Sequence, residues 1–486
     1  MHKVSILKSN KSTITAVKYP LIVFSIAISL RSIIEILALP YPIGYDVINY
    51  YLPSLVNFDN HWTSASNQFP LYLLLLHTIT SVLQIHPRIV ISASVVLIFG
   101  LFSLVIYSIA RNIFHLNSFQ SIFVSIFVIF QVSLLRTSWD LHKDMLGLTI
   151  TLFCLSYVSR FPNISKRIMF AILPLSIISV LSDRMIGFLL SSVLIIYSLI
   201  KRERQIAIIA IATSIIFVVA LIANFDIIRN NIIIGNVENE TIQQPYTALN
   251  LVILFLLMSG ILIPTGVIGV MKSRNIILKI PLIVSLLGSF SWVVFPNTSA
   301  FLPDRWIIIF SIFLSIFSGY GFVTLIENKH IMISNKKLRN YLVVLIPFIF
   351  LGSVFATSPN NSYLNMYGAF HTYIGHYGPL TMQYNSISLP ESESLLSLIE
   401  WMNDNVSSQI ILMGSKHVRG WMELELDNRT FVYSDDITDL LKSNKYNEFY
   451  LLSRNSESFQ LQNFSSNLSF NNSDFSLHHL KRVEVE

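Results

Sequence analysis

The chain has 486 residues, 53% of them hydrophobic and only 12% charged, with a mean hydropathy of +0.61. Soluble globular chains carry about 25% charged residues, so the composition excludes that class and indicates a polytopic α-helical membrane protein. The formal charge of +6 does not indicate a nucleic-acid partner, because Lys and Arg are spread over short stretches between apolar runs.

The first apolar run, 19–39, follows "MHKVSILKSNK". It is long, carries Arg31 and Glu35, and lacks a small-x-small cleavage site, so it is expected to be a retained anchor. The chain leaves it through "YPIGYDVINYY" (41–51), with Asp46 set among tyrosines. Next comes "FPLYLLLLHTITSVLQIHP" (69–87), whose terminal prolines enclose fewer residues than the roughly 20 needed to cross a bilayer. Apolar runs then recur to about Ala356, separated by the basic stretches "RFPNISKR" (160–167), "KRERQ" (201–205), "KSRNIILK" (272–279) and "ENKHIMISNKKLR" (327–339). The positive-inside rule puts these stretches and the N-terminus in the cytoplasm. If every run crossed, 160–167 would fall outside. Laying 69–87 along the outer surface as a juxtamembrane helix removes the conflict.

The expected fold is a transmembrane domain, 1–356, of about 11 transmembrane helices, with the first outer loop at 40–88. The spans fall near 19–39, 89–110, 118–135, 145–159, 168–182, 186–200, 206–223, 247–271, 280–296, 306–326 and 341–356. Cys154, the single cysteine, lies within an apolar run, so it can form no internal disulfide and reads as a small buried hydrophobe.

Residues 357–486 turn polar and are expected to form a small extracytoplasmic α/β domain. In "PESESLLSLIEWMNDN", Leu395, Leu398, Ile399 and Met402 recur at helical spacing. "QIILMG" and "EFYLLS" read as short buried strands, with "ITDLLKS" a short helix between them. From Ser453 the chain is rich in Ser and Asn and is expected to be mobile. Eight sequons fall on outward segments, at Asn239, Asn297, Asn360, Asn405, Asn428, Asn463, Asn467 and Asn471. Chance accounts for most of them in so Asn- and Ser-rich a chain.

With this threading, ionisable residues gather at the outer ends of different spans. Asp46 comes from the first loop, and Arg136, Asp140, His142, Lys143 and Asp144 from the second, "LLRTSWDLHKDMLGL" (134–148). Asp183 and Arg184 occupy a tight turn, and Asp304 and Arg305 open the tenth span. Outer loops are normally poor in Lys and Arg. Ionisable groups at membrane depth cost about 2.5–3.5 kcal/mol each unless paired or hydrated. Any one Asp–Arg pair is explained by snorkelling at headgroup level, and Arg31–Glu35 reads as a structural pair. Several such pairs on separate outer turns point to a cavity for an anionic, lipid-borne substrate.

These residues resemble the GT-C superfamily of membrane glycosyltransferases, which use sugars linked to polyprenyl phosphate. An Asp in a long first outer loop, a following "FPLY" helix, and the Asp-bearing "WDLHKDMLGL" are similar to the branch containing protein O-mannosyltransferases and aminoarabinose transferases. The likeness covers 19 to about 200. Phe69 stands where the family usually has Pro, and a single Asp46 stands where it often has an acidic pair. The resemblance implies transfer of a sugar from a polyprenyl-phosphate donor to an acceptor protein, lipid or glycan on the extracytoplasmic face.

Such transfer needs a base for the acceptor proton, cations for the leaving phosphate, and exclusion of water. Asp46 is either that base or a helix N-cap, and the resemblance favours the base. Asp140 and Asp144 are further acidic candidates. Arg184 and Arg305 suit the donor phosphate, with Arg136, Lys143 and Tyr45 as further substrate contacts. A divalent metal on "DLHKD" is the weaker reading, and His371 and His376 read as surface residues. The rival function is a transporter or lipid flippase. That class commonly shows paired repeats and charges deep in its spans, and neither is evident in this sequence.

Overall fold

The computed structural model describes residues 2–39, 44, 46–58, 69–161, 165–223, 248–294, 302–327, 340–346, 389–408, 410–415, 418–427, 429–433, 446–455 and 464–483. Helix α1 is His2–Ala38, and after the loop comes α2, Val47–Val56, which opens with a π-helical turn. Then follow α3 (Leu71–Leu83), α4 (Pro87–Asn112), α5 (Ser118–Ile129), α6 (Val132–Asp140), α7 (His142–Arg160), α8 (Lys166–Ser182), α9 (Arg184–Lys201) and α10 (Arg204–Ala223). Next are α11 (Ala248–Ser259), α12 (Ile263–Lys272), α13 (Ile276–Ser289), α14 (Ser291–Val294) and α15 (Pro303–Glu327).

Among the described residues six helices are long and apolar enough to cross a membrane, or seven if the bent pair α5–α6 counts as one span. The chain is thus a mostly helical, polytopic membrane protein. Large apolar side chains such as Leu199, Ile222 and Met271 are exposed on the bundle's outside, where lipid would cover them. In the core, α12 crosses α15 at backbone contact. A Cβ on Gly269 would lie 1.9 Å from the Phe317 carbonyl oxygen, and one on Gly321 2.0 Å from that of Thr265. Small residues give membrane helices this close approach.

Three expectations need correction. The run 118–135 is not one straight span: α5 and α6 meet at 60°. Gln131 takes an extended backbone, and its amide side chain donates to the Phe127 carbonyl at 2.9 Å, closing the broken turn. The stretch 134–148 is correspondingly not a loop, since α6 and α7 abut with only Leu141 between them. The region after Ser453 is not wholly mobile either. It forms two of the five strands of the C-terminal sheet.

The 69–87 segment folds into a short apolar helix, α3, of 13 residues. At 1.5 Å per residue it covers about 20 Å. The C-terminal unit contains α16 (Leu389–Asn405), β1 (Ile411–Gly414), α17 (Arg419–Glu425), β2 (Phe431–Tyr433), β3 (Glu448–Arg454), β4 (Phe464–Asn471) and β5 (Phe475–Arg482). Its sheet order is β2-β1-β3-β5-β4, with β1 parallel to both neighbours and β5 antiparallel to both of its own. Leu395, Leu398, Ile399 and Met402 of α16 are buried against it, as their spacing predicts. The "ITDLLKS" helix, Tyr45, His371, His376 and the boundary near 356 lie outside the described residues.

Candidate functional site

The site is assembled from helix ends. Gly44 turns the chain with φ +104°, and Asp46 follows in helical conformation (φ −66°, ψ −29°) without any capping hydrogen bond from its side chain. The N-cap explanation of Asp46 therefore fails on geometry. A Cβ on Gly44 would meet the Trp139 carbonyl oxygen at 2.4 Å and Asp140 Oδ1 at 2.6 Å. The first loop is thereby pressed onto the C-terminal end of α6.

There Arg136 and Asp140, one helical turn apart, form an ion pair at 2.6 Å, and both are buried. Leu141 breaks the helix (φ −95°, ψ 55°), and α7 restarts with His142, Lys143 and Asp144. Asp183 ends α8 in extended conformation and caps α9, accepting from Met185 N–H at 2.7 Å and Ile186 N–H at 3.3 Å. Arg184 follows it directly. Asp144 faces Asp183 across this junction, close enough for the two carboxyl groups to interact.

Arg305, at the start of α15, attracts Asp144, Asp46, Asp183 and Asp304. Lys143 is in electrostatic range of Asp183, Asp46 and Asp144, and Arg184 of Asp183 and Asp144. Lys143 Nζ also sits 5.8 Å from the Tyr51 ring centroid, within cation–π range. The carboxyl groups of Asp46, Asp140, Asp144, Asp183 and Asp304 thus meet the cations Arg136, Lys143, Arg184 and Arg305. Five carboxyl groups against four cations leave the cluster close to charge balance. Burial pushes the Asp46 carboxyl up to about 6; Arg305 opposes that rise, Asp140 adds to it, and Arg136 and Lys143 also oppose it.

Asp46, Asp140, Asp144, Arg136, Lys143, Arg184 and Arg305 are all brought to this cluster, and His142 is turned away from it. Arg31 and Glu35 are set apart from it as a supporting brace. Arg31 is fully buried, pairs with Glu35 at 2.6 Å and donates to the Ser138 carbonyl at 3.2 Å, while Ser92 donates to Glu35 at 2.7 Å. This ties α1, α4 and α6 together beneath the site.

Sequence reasoning picked out Tyr51 only as one of the tyrosines flanking Asp46, missed Tyr72, and placed His142 with the carboxylates. His142 instead faces the tyrosines: its Nδ1 is 3.1 Å from Tyr72 Oη and its Nε2 is 3.2 Å from the Trp139 carbonyl oxygen. A carbonyl only accepts, so in a neutral ring Nε2 holds the proton and Nδ1 accepts from Tyr72. Both nitrogens are engaged, which leaves neither for a metal. No group of three His, Cys, Asp or Glu is arranged to hold a metal ion among the described residues. Tyr51 Oη donates to the Asp140 carbonyl at 3.3 Å, and its ring packs edge-on to Tyr72 at 5.5 Å. The available signal for Tyr72 was its place in the "FPLY" stretch itself.

The C-terminal unit closes over the same loop. Gly420 N–H donates to Asn49 Oδ1 at 2.9 Å, and Ile48 is part of the apolar core that holds Trp421 and Met422. No protein-family model matches the chain, and no curated protein matches it in sequence.

Proposed function

We propose that the chain is a membrane glycosyltransferase that moves a sugar from a polyprenyl-phosphate donor to a protein, lipid or glycan acceptor, with Asp46 as general base. The observation that carries this reading is the placement of Asp46. Its carboxyl lies beside Arg305 and Lys143, does not cap its helix, and is raised toward neutrality, where a base is most effective. Arg184 and Lys143 take the donor phosphate, and Arg305 holds the carboxylates in place while sharing that phosphate. Asp140 fixes Arg136 and lies against the Gly44 turn, and Asp144 and Asp183 line the leaving-group side of the cluster. Tyr45 is a sugar contact in this scheme.

The membrane arrangement we propose has eleven spans, the N-terminus inside and the C-terminal unit outside. It counts α7, α8 and the apolar runs 280–296 and 341–356 as crossings, in addition to the six long helices and the α5–α6 pair. Acceptor and lipid donor then meet at the outer leaflet, under the C-terminal unit.

Donor binding tests the phosphate assignment. Arg184→Ala should weaken binding of a labelled polyprenyl-phosphate sugar by about 1.5–3 kcal/mol, the worth of a charge-assisted hydrogen bond. An unchanged donor affinity in a folded variant would make Arg184 an anchor of the α9 end only.

A further inference from the structure

The opposite end of the bundle holds a second charged site, which the glycosyl-transfer reading does not use. Helix α7 runs 19 residues, from the outer cluster at His142 to Arg160. That is about 28 Å at 1.5 Å per residue, close to the roughly 30 Å hydrocarbon core of a bilayer. At its far end two adjoining clefts of about 720 and 470 Å³ share Ile113, His115 and Asn275 as walls. Arg111, Arg160, Lys272 and Arg274 line them together with His115, and among the described residues no carboxylate does. Among the described residues none of these four cations is ion-paired.

Basic residues are ordinary at a cytoplasmic face, and four scattered in solvent would mean nothing. These converge on one hollow, and two are held in place. Arg111 Nη1 donates to the Leu116 carbonyl at 2.6 Å, and Arg160 Nη2 donates to Ser108 Oγ. The loop that shapes the hollow is fixed as well. His115 takes a left-handed backbone (φ +56°), which is uncommon outside glycine. Beside it, Phe114 stacks on Tyr320 with 4.3 Å between ring centroids. The amino terminus of α13 also opens here, its cap Asn275 accepting from Ile277 N–H at 3.1 Å. The positive end of that helix dipole adds to the field.

We propose that this cleft binds a phosphate group, that of an anionic phospholipid in the leaflet opposite the outer cluster. Forked guanidinium groups match phosphate oxygens two at a time. The cleft lies at span ends, and Met271, next to Lys272, is largely exposed on the lipid-facing side. A headgroup seated between Arg111 and Arg274 would therefore leave its acyl chains against that apolar surface. The site is independent of the chemistry proposed at the other end.

Native mass spectrometry of the full chain, released from phosphatidylcholine nanodiscs doped with phosphatidylglycerol, tests this. The wild type should retain phosphatidylglycerol in preference to phosphatidylcholine. The pair Arg111→Gln with Arg274→Gln should lower that retention about tenfold or more, the loss of one charge-assisted contact. The pair Arg202→Gln with Arg204→Gln removes the same charge from another loop on that face and should leave retention unchanged. Equal losses in the two pairs would show adhesion to the whole basic face and overturn the site. A wild type without preference for phosphatidylglycerol overturns it whichever variants fold. Displacement of the lipid by inorganic phosphate, at an ionic strength where chloride displaces nothing, would support the phosphate site and assign it to a soluble compound.

Discussion

Gly44 holds φ at +104°, and any Cβ there would run into Trp139 and Asp140. Gly44→Ala meets two penalties at once, a backbone region that L-residues avoid and a contact with a carbonyl oxygen that cannot swing away. We expect a thermal-unfolding loss of about 1–3 kcal/mol and a larger fall in activity, because the turn that aims Asp46 is displaced. Unchanged stability and activity would remove the turn from the account. Asp46 also gives a pH prediction. A base works only when deprotonated, and its carboxyl is pushed up to about 6 by burial, with Arg305, Asp140, Arg136 and Lys143 adjusting it. The kcat/KM profile should therefore be flat above about pH 6 and fall tenfold per unit below it. A limb near pH 4, the range of an ordinary carboxylate, would contradict this environment. Asp46 could be picked out because it is a lone carboxylate among tyrosines just after the first span, where the resemblance sets an acidic residue. Gly44 was not, since its need for glycine arises from Trp139 and Asp140, which are remote in the chain.

At the scale of elements, helix ends do the positioning. The prolines bounding 69–87 made the short helix α3 readable from sequence, because they limit its length. The break at Gln131 was not readable, since "FQVSLL" continues the apolar run and the turn is closed by a side-chain hydrogen bond. Composition misled at β4 and β5. Phe475, Leu477 and Leu480 are buried along β5, while the Ser and Asn residues of β4 lie mostly on the exposed edge. Ser-rich composition hid that alternation. Labelling of single cysteines tests the placement of α3. Substitutions at Leu71 and Gln84 should both react with an impermeant reagent from outside the cell. Protection of Gln84→Cys until the cytoplasmic face is opened would make α3 cross, and would invert the span assignment up to the next basic cluster.

At the scale of the whole molecule, α7 connects two sites at opposite ends, and the C-terminal unit seats on α2 through Ile48, Asn49 and Gly420. The turn carrying Asp46 is thus held between the bundle and the C-terminal unit, and under the proposed function this would shield it from water. Membrane character, the short helix and most of the outer charge cluster could be read from one sequence. The proximity of those charges could not, because it depends on how six helix ends pack. The central claim is that Asp46 takes the acceptor proton at this cluster. The most direct measurement is turnover and donor affinity in the same purified Asp46→Asn variant, assayed with labelled polyprenyl-phosphate sugars. Asn keeps the size and much of the hydrogen bonding but cannot accept the proton, so the account predicts a fall in turnover of about 10²–10⁴ with donor affinity retained. Turnover close to wild type would contradict it and leave Asp140 or Asp144 as the base.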